Sequence, residues 1–115
     1  YNIDEKIRSD PKSFHFNIGE RYISIPFNEI VFFCTSDNSH KVTLHTMNKF
    51  TEFFGTLKEI EANLDKRFYR CHRSCIINKD FIDNVDYDTS IVYMKNGGEC
   101  PISFRLKGGL KRLLR

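Results

Sequence analysis

The chain reads as a succession of short runs in which apolar and polar positions alternate. Phe14, Phe16 and Ile18 alternate with polar neighbours, Gly19-Glu20 can turn, and Tyr22, Ile23 and Ile25 follow. This pattern predicts a β-hairpin. Residues 30–34 (IVFFC) form a continuous apolar run, the signature of a central strand buried on both faces. A polar loop follows, with Ser36, Asp37 and Asn38 at its turn, and then Val42, Leu44 and Thr46 alternate with Lys41, Thr43 and His45. Residues 50–54, 75–77, 81–85 and 90–94 are further strand candidates. Asn96-Gly97 predicts a type I′ hairpin turn. Residues 100–103 then pair back, with Pro101 at an edge or bulge because it cannot donate to a ladder.

One helix is well marked. Thr56-Leu57-Lys58-Glu59 has the form of a capping box, in which hydroxyl and carboxylate each bond an exposed backbone N–H. Leu57, Ile60 and Leu64 share one helical face, which predicts an end near residues 64–65. The tail from 106 to 115 predicts a terminal helical turn, weakened by Gly108-Gly109. Many strands at short spacing, one good helix and no βαβ rhythm predict a mostly antiparallel β domain. No internal repeat and no Gly-rich phosphate loop is present.

At 115 residues the chain is long enough for one domain with a real core. Residues 1–12 are polar, include Asp10-Pro11 and read as a linker; residues 13–115 read as the domain. The chain opens on Tyr1 without a Met, as expected of an excised fragment. No secretory signal is visible, and no apolar run approaches the ~20 residues that cross a bilayer. A cytoplasmic protein without a membrane partner is expected, and Cys34, Cys71, Cys75 and Cys100 read as reduced thiols.

Charge changes the picture most. The formal net charge is +3, but residues 66–79 (KRFYRCHRSCIINK) and 100–115 carry five Lys or Arg each and no acid. The remaining 85 residues carry eight bases and all 15 acids. Two cationic segments on an acidic body suit a polyanion, because a local positive patch gathers phosphates while the body avoids indiscriminate adhesion. Two solvated loops that lack acids would produce the same pattern.

Other chemistries fit less well. Cys71, His72 and Cys75 resemble part of a zinc site, but no C-x2-C pair exists and His15, His40, His45 and Cys100 lack the spacing of a second half. Neither a metal nor a cofactor is expected. A Cys-His-Asp trio from Cys71 or Cys100 with His40 and Asp37 is of poor specificity, and Asp83, Asp86 and Asp88 read as turn formers. An enzyme is therefore not expected. Nucleic acid fits better: Arg can donate twice to guanine O6 and N7, and Lys, Ser and Asn bind phosphate. Arg70, Arg73 and Ser74 fall between helix and strand, Arg105 follows a strand, and Ser39, His40 and Lys41 make a third polar tip. An RNA- or protein-binding β module using the same basic loops is the alternative. Its stacking aromatics would be Phe53, Phe54, Phe68 and Tyr69, whose positions favour the core.

These residues also carry a family likeness. Ile30-Val31-Phe32-Phe33, the run from Ser39 to His45 (SHKVTLH), the run from Glu52 to Glu59 (EFFGTLKE), RF-x-R-C-H-x-S-x-x-x-N from Arg67 to Asn78, and Ser103-Phe104-Arg105 resemble the LytTR-type DNA-binding domain. The likeness covers about residues 14 to 110 and is greatest to the accessory-gene-regulator and competence-regulator branch. It implies an elongated arrangement of short antiparallel β-sheets with one or two short helices. It implies loops, rather than a recognition helix, that enter successive major grooves, and an output role in a two-component, quorum-sensing transcriptional activator. The base-contacting positions would be His40, Arg73 and Arg105; the middle one is often Asn or another polar residue in relatives, so Arg73 implies a changed base preference. Positions matching phosphate contacts are Ser39, Lys41, Thr56, Ser74 and Ser103, to which charge adds Lys107 and Lys111. The implied partner is double-stranded DNA with direct repeats, bound by a homodimer formed on DNA or through a receiver domain missing from this fragment. Cys71 and Cys100 sit close in sequence to the two arginines, which makes them a candidate redox pair.

Overall fold

A computed structural model describes residues 12–35 and 40–115. Among these described residues, ten strands form three antiparallel sheets. Strands β1 (Ser13–Ile18) and β2 (Arg21–Pro26) make the expected hairpin. Strands β3 (Phe32–Thr35), β4 (Lys41–His45), β5 (Phe50–Phe54), β6 (Phe68–His72) and β7 (Cys75–Asn78) form a five-stranded sheet in the order β5-β4-β3-β7-β6. Strands β8 (Ile82–Asp86), β9 (Ile91–Met94) and β10 (Glu99–Pro101) form the third sheet, order β10-β9-β8. Among the described residues the α-helices are α1 (Leu57–Glu61) and α2 (Lys107–Leu114). The molecule measures 48 × 34 × 25 Å, in keeping with the elongated shape expected.

The apolar run at 30–34 is explained by where β3 lies. It is the middle strand of the central sheet, and both faces of that sheet are covered. Phe33 joins Phe14, Phe16, Phe27, Val42, Leu44, Phe53 and Ile76 under the β1–β2 hairpin and α1. Phe32 and Cys34 face the other way, with Cys71, Cys75, Ile77, Val92, Met94, Cys100 and Leu110, toward the third sheet and α2. Side chains of one strand thus supply two cores, which removes the polar half of the usual alternation. Among the buried polar residues Thr43, Thr46 and Asn78, Asn78 at the end of β7 is the most deeply buried. Its side-chain N–H groups donate to the carbonyls of Phe27 at 3.2 Å and Ile30 at 2.8 Å, and its Oδ1 accepts from Asp80 N–H at 3.0 Å.

Five local expectations change. Residues 68–72, expected between helix and strand, form β6, whose bulged pairing with β7 hides the alternation that would mark it. Helix α1 stops at Glu61, not near 64–65, because Asn63 competes for its carbonyls. The Asn63 side chain donates to Glu59 O at 3.1 Å, while its backbone N–H turns to Ile60 O at 2.9 Å, a three-residue closure that ends the helix. The capping box is present, with Thr56 Oγ1 accepting from Glu59 N–H at 3.3 Å, but the Glu59 carboxylate accepts from the Thr56 hydroxyl at 3.2 Å. The 95–97 loop is not a type I′ turn. Gly97 alone has positive φ (+90°), and Met94 and Gly98 close a three-residue loop, a type I turn followed by a left-handed residue. Finally, α2 is a full two turns despite its two glycines. A Cβ on Gly109 would collide with the Tyr69 hydroxyl, so the missing side chain is what lets the helix dock on β6. The Tyr69 hydroxyl then donates to Leu106 O at 2.8 Å.

Candidate nucleic-acid interface

The strands dictate which loops meet. β6 and β7 are joined by the two residues Arg73 and Ser74, so Arg73 stands exposed at the tip of a tight hairpin. The pairing slips between Tyr69 and His72, a bulge that re-aims this tip. Arg70 lies within the irregular stretch, and its Nη2 donates to the Arg73 carbonyl at 2.9 Å. His72 Nδ1 accepts from Ser74 N–H at 3.1 Å and lies 2.8 Å from the Ser74 hydroxyl, so it holds the turn from the other side. Acceptance of an N–H at Nδ1 assigns the ring proton of the neutral imidazole to Nε2.

Arg105 arrives from a different part of the chain. Residues Phe104–Leu106 make one 3-10 turn between β10 and α2. Ser103 N–H donates to Cys71 O at 2.7 Å, which hangs that turn on β6 just behind the Arg73 hairpin. As a result Arg70, His72, Arg73, Ser103, Arg105 and Leu106 line one open cleft of about 650 Å³, together with Glu61 from α1. Arginines 32 positions apart in sequence therefore share a surface.

His40 is brought to the same end of the sheet. Its carbonyl accepts from Gly55 N–H at 2.9 Å, beside the Thr56 cap of α1, and Thr35 N–H donates to Ser74 O at 3.0 Å. Both ends of the β3–β4 connection are therefore pinned beside the β5–α1 and β6–β7 turns. His40 is exposed but does not line the cleft that holds the two arginines. Lys41 pairs with Phe54 across β4 and β5, its Nζ 5.3 Å from the ring centre. Ser39 lies outside the described residues.

Not every expected contact is gathered there. Ser103 lines the cleft and is half-buried, Ser74 is half-buried against His72 and does not line it, and Thr56 is exposed with its hydroxyl engaged in capping. Lys107 and Lys111 face Tyr87 instead: Lys107 Nζ donates to Tyr87 O at 2.8 Å, and Lys111 Nζ sits 4.8 Å from the Tyr87 ring centre. The first cationic stretch also divides on folding. Arg70 and Arg73 go to the cleft, while Lys66, Arg67 and Lys79 meet at the opposite end of the β6–β7 hairpin, among Asp65 and Asp80. Phe53 is buried as expected and Phe68 packs against the same core, but Phe54 is 75% exposed because it lies on the outer face of the edge strand β5.

The thiols form the floor beneath these loops. Cys71, Cys75 and Cys100 are buried in one apolar cluster, and Cys75 lies opposite Cys34 across β7 and β3. Cys71 Sγ donates to Pro101 O at 3.2 Å, and burial pushes its thiol up to about 12. Burial also pushes Cys34 up to about 11. Cys100 shares its hydrogen bond with Cys75, and that bond together with burial holds the Cys100 thiol far above its ordinary value. Among the described residues no group of three or more His, Cys, Asp and Glu is arranged to hold a metal.

Sequence reasoning missed Glu61, the one acid of the cleft, because nothing in its helical spacing connects it to an arginine nine residues away. Arg70 did carry a signal, the RF-x-R-C-H run.

An antiparallel scaffold that delivers basic turns to one end defines a class of loop-presenting β domain. The LytTr DNA-binding domain profile matches residues 20–115, and the chain belongs to that family. It is 42% identical over 87 residues to accessory gene regulator protein A of Staphylococcus epidermidis, covering 76% of this chain and 36% of the relative. Identity to the Staphylococcus aureus protein of the same name is 39% over 87 residues. This chain thus spans about a third of the length of those relatives. A solved LytTr DNA-binding domain from Bacillus cereus superposes with a TM-score of 0.74 at 27% identity, covering 89% of this chain and 95% of that one.

Proposed function

We propose that this domain binds double-stranded DNA sequence-specifically, as the output part of a transcriptional response regulator of the accessory-gene-regulator type. The observation that carries the reading is the shared cleft of Arg73 and Arg105 at the loop end of the sheet, in a chain of the LytTr DNA-binding family. Arg73, Arg105 and His40 read base edges from separate turns. Ser39, Lys41, Thr56, Ser74 and Ser103 set register on phosphates. Lys107 and Lys111 add positive field from the flank, since their hydrogen bond and ring contact with Tyr87 hold them back from the cleft. The full regulator acts in the cytoplasm as a quorum-sensing activator, with residues 1–12 leading in from a receiver domain that drives dimerisation on direct repeats. Oxidation of Cys71 and Cys100 to a disulfide, two electrons and two protons passing to a diamide-type oxidant, requires opening of the apolar cluster that buries both thiols and so deforms both arginine loops. DNA affinity unmoved by diamide removes that part of the reading.

Selection from a random duplex library, followed by anisotropy titration, tests the whole. Arg105→Ala is expected to lose about 1–3 kcal/mol on the selected site and to relax preference at one position. Lys41→Ala is expected to weaken all duplexes alike. With about 6–10 phosphates engaged, affinity falls ~10³–10⁵-fold between 50 and 200 mM salt. A flat salt profile, or tighter binding to single-stranded RNA than to any duplex, overturns the proposal.

A further inference from the structure

Glu61 is the unexpected member of the cleft. It is the one acid among the residues that line it, set against Arg70, Arg73 and Arg105. Its Oε1 lies 3.4 Å from Arg70 Nη1, and its side chain is 51% exposed. An ion pair that open to water contributes little stability. Its effect lies in what it does to Arg70. One arm of that guanidinium is committed to the Arg73 carbonyl and the other faces Glu61. Arg70 is left without a free fork for a phosphate, and its planar, five-donor geometry becomes a brace between α1 and the β6–β7 turn.

We infer that Glu61 is a positioning residue that raises specificity. Through Arg70 it fixes the turn that carries Arg73, and its carboxylate disfavours backbone phosphate in the cleft. A duplex that offers Arg73 and Arg105 the right base edges binds in spite of the acid. A duplex that offers only phosphates meets a like charge where it would otherwise find a third arginine. This inference rests on the DNA-binding reading and deepens it.

The test uses the full chain, with the selected duplex and a scrambled duplex titrated by anisotropy between 50 and 200 mM salt. Glu61→Gln frees Arg70 for phosphate. Scrambled-duplex affinity is expected to rise about three- to tenfold, and its salt slope to steepen by about one ion. Affinity for the selected duplex rises less, so the ratio of the two falls. Glu61→Asp keeps the charge and is expected to keep the scrambled-duplex affinity of the parent. Equal thermal midpoints for the three proteins show that folding is unaffected. An unchanged ratio in Glu61→Gln overturns the inference while leaving DNA binding intact. Absence of salt-dependent duplex binding by the parent itself overturns the DNA-binding reading instead.

Discussion

Two single residues decide more than their size suggests. Asn78 closes the RF-x-R-C-H motif at its far end, and the motif alone does not separate a ligand contact from a structural one. Burial does: its amide satisfies two carbonyls and a backbone N–H in the core. Asn78→Ala leaves those groups without partners and is expected to cost about 2–4 kcal/mol, read from urea unfolding. His45 is the second. It stacks on Phe32 at 4.1 Å between ring centroids, and burial lowers its pKa below 6.5. The unfolded chain therefore binds a proton that the folded one refuses. Stability is full above pH 6.5 and is lost as pH falls from there toward the lowered folded value. Thermal midpoints measured from pH 8 to 5 should fall in the parent and fall less in His45→Gln. At this scale the arginines of the cleft were legible from charge, whereas His40 was legible chiefly from likeness and Glu61 not at all.

Among the elements, α2 was the least legible. Propensity argues against Gly108-Gly109 in a helix, yet packing overrides it because Tyr69 fills the space a side chain would need. Gly109→Ala is therefore expected to destabilise, although an Ala replacement in an open helix gains about 1 kcal/mol. Gly108→Ala, whose nearest neighbour is the end of Arg112 at 3.8 Å, is expected to show that gain. Opposite signs from adjacent glycines in one thermal-melt series would confirm the docking; equal signs would exclude it. Most strands were legible, from alternation where one face is buried or, at β3, from an unbroken apolar run; β6 was not, because its bulge breaks the alternation and its polar Arg70 and His72 read as loop. The ends of α1 and of the 95–97 loop were not, because both depend on where an Asn side chain finds its partner. Under the reading loops, burial raises the pKa of Cys71 on β6, and the hydrogen bond with Cys75 together with burial raises that of Cys100 on β10. The same hydrogen bond lowers that of Cys75 on β7, and all three thiols are buried. Alkylation of reduced native protein at neutral pH should leave Cys71, Cys75 and Cys100 unlabelled on mass analysis, with label appearing only after denaturation.

For the whole molecule, counting charge along the chain was right about a polyanion-binding surface and wrong about its extent. Folding splits one cationic run between two ends of a hairpin and surrounds half of it with Asp65 and Asp80. Lys79→Glu is therefore expected to leave the DNA salt slope within about half an ion of the parent, while Arg73→Ala lowers affinity for the selected duplex. If both weaken binding equally, the interface is broader than the cleft.

The central sheet also separates two tasks. Phe33, Val42, Leu44 and Ile76 fill one side, while Phe32, Cys75 and Ile77 fill the side on which Cys71 and Cys100 support the arginine turns. A combinatorial library confined to the first group can therefore search for thermal robustness without disturbing the geometry of recognition, and one confined to the second can retune recognition from below while the first group holds the scaffold together.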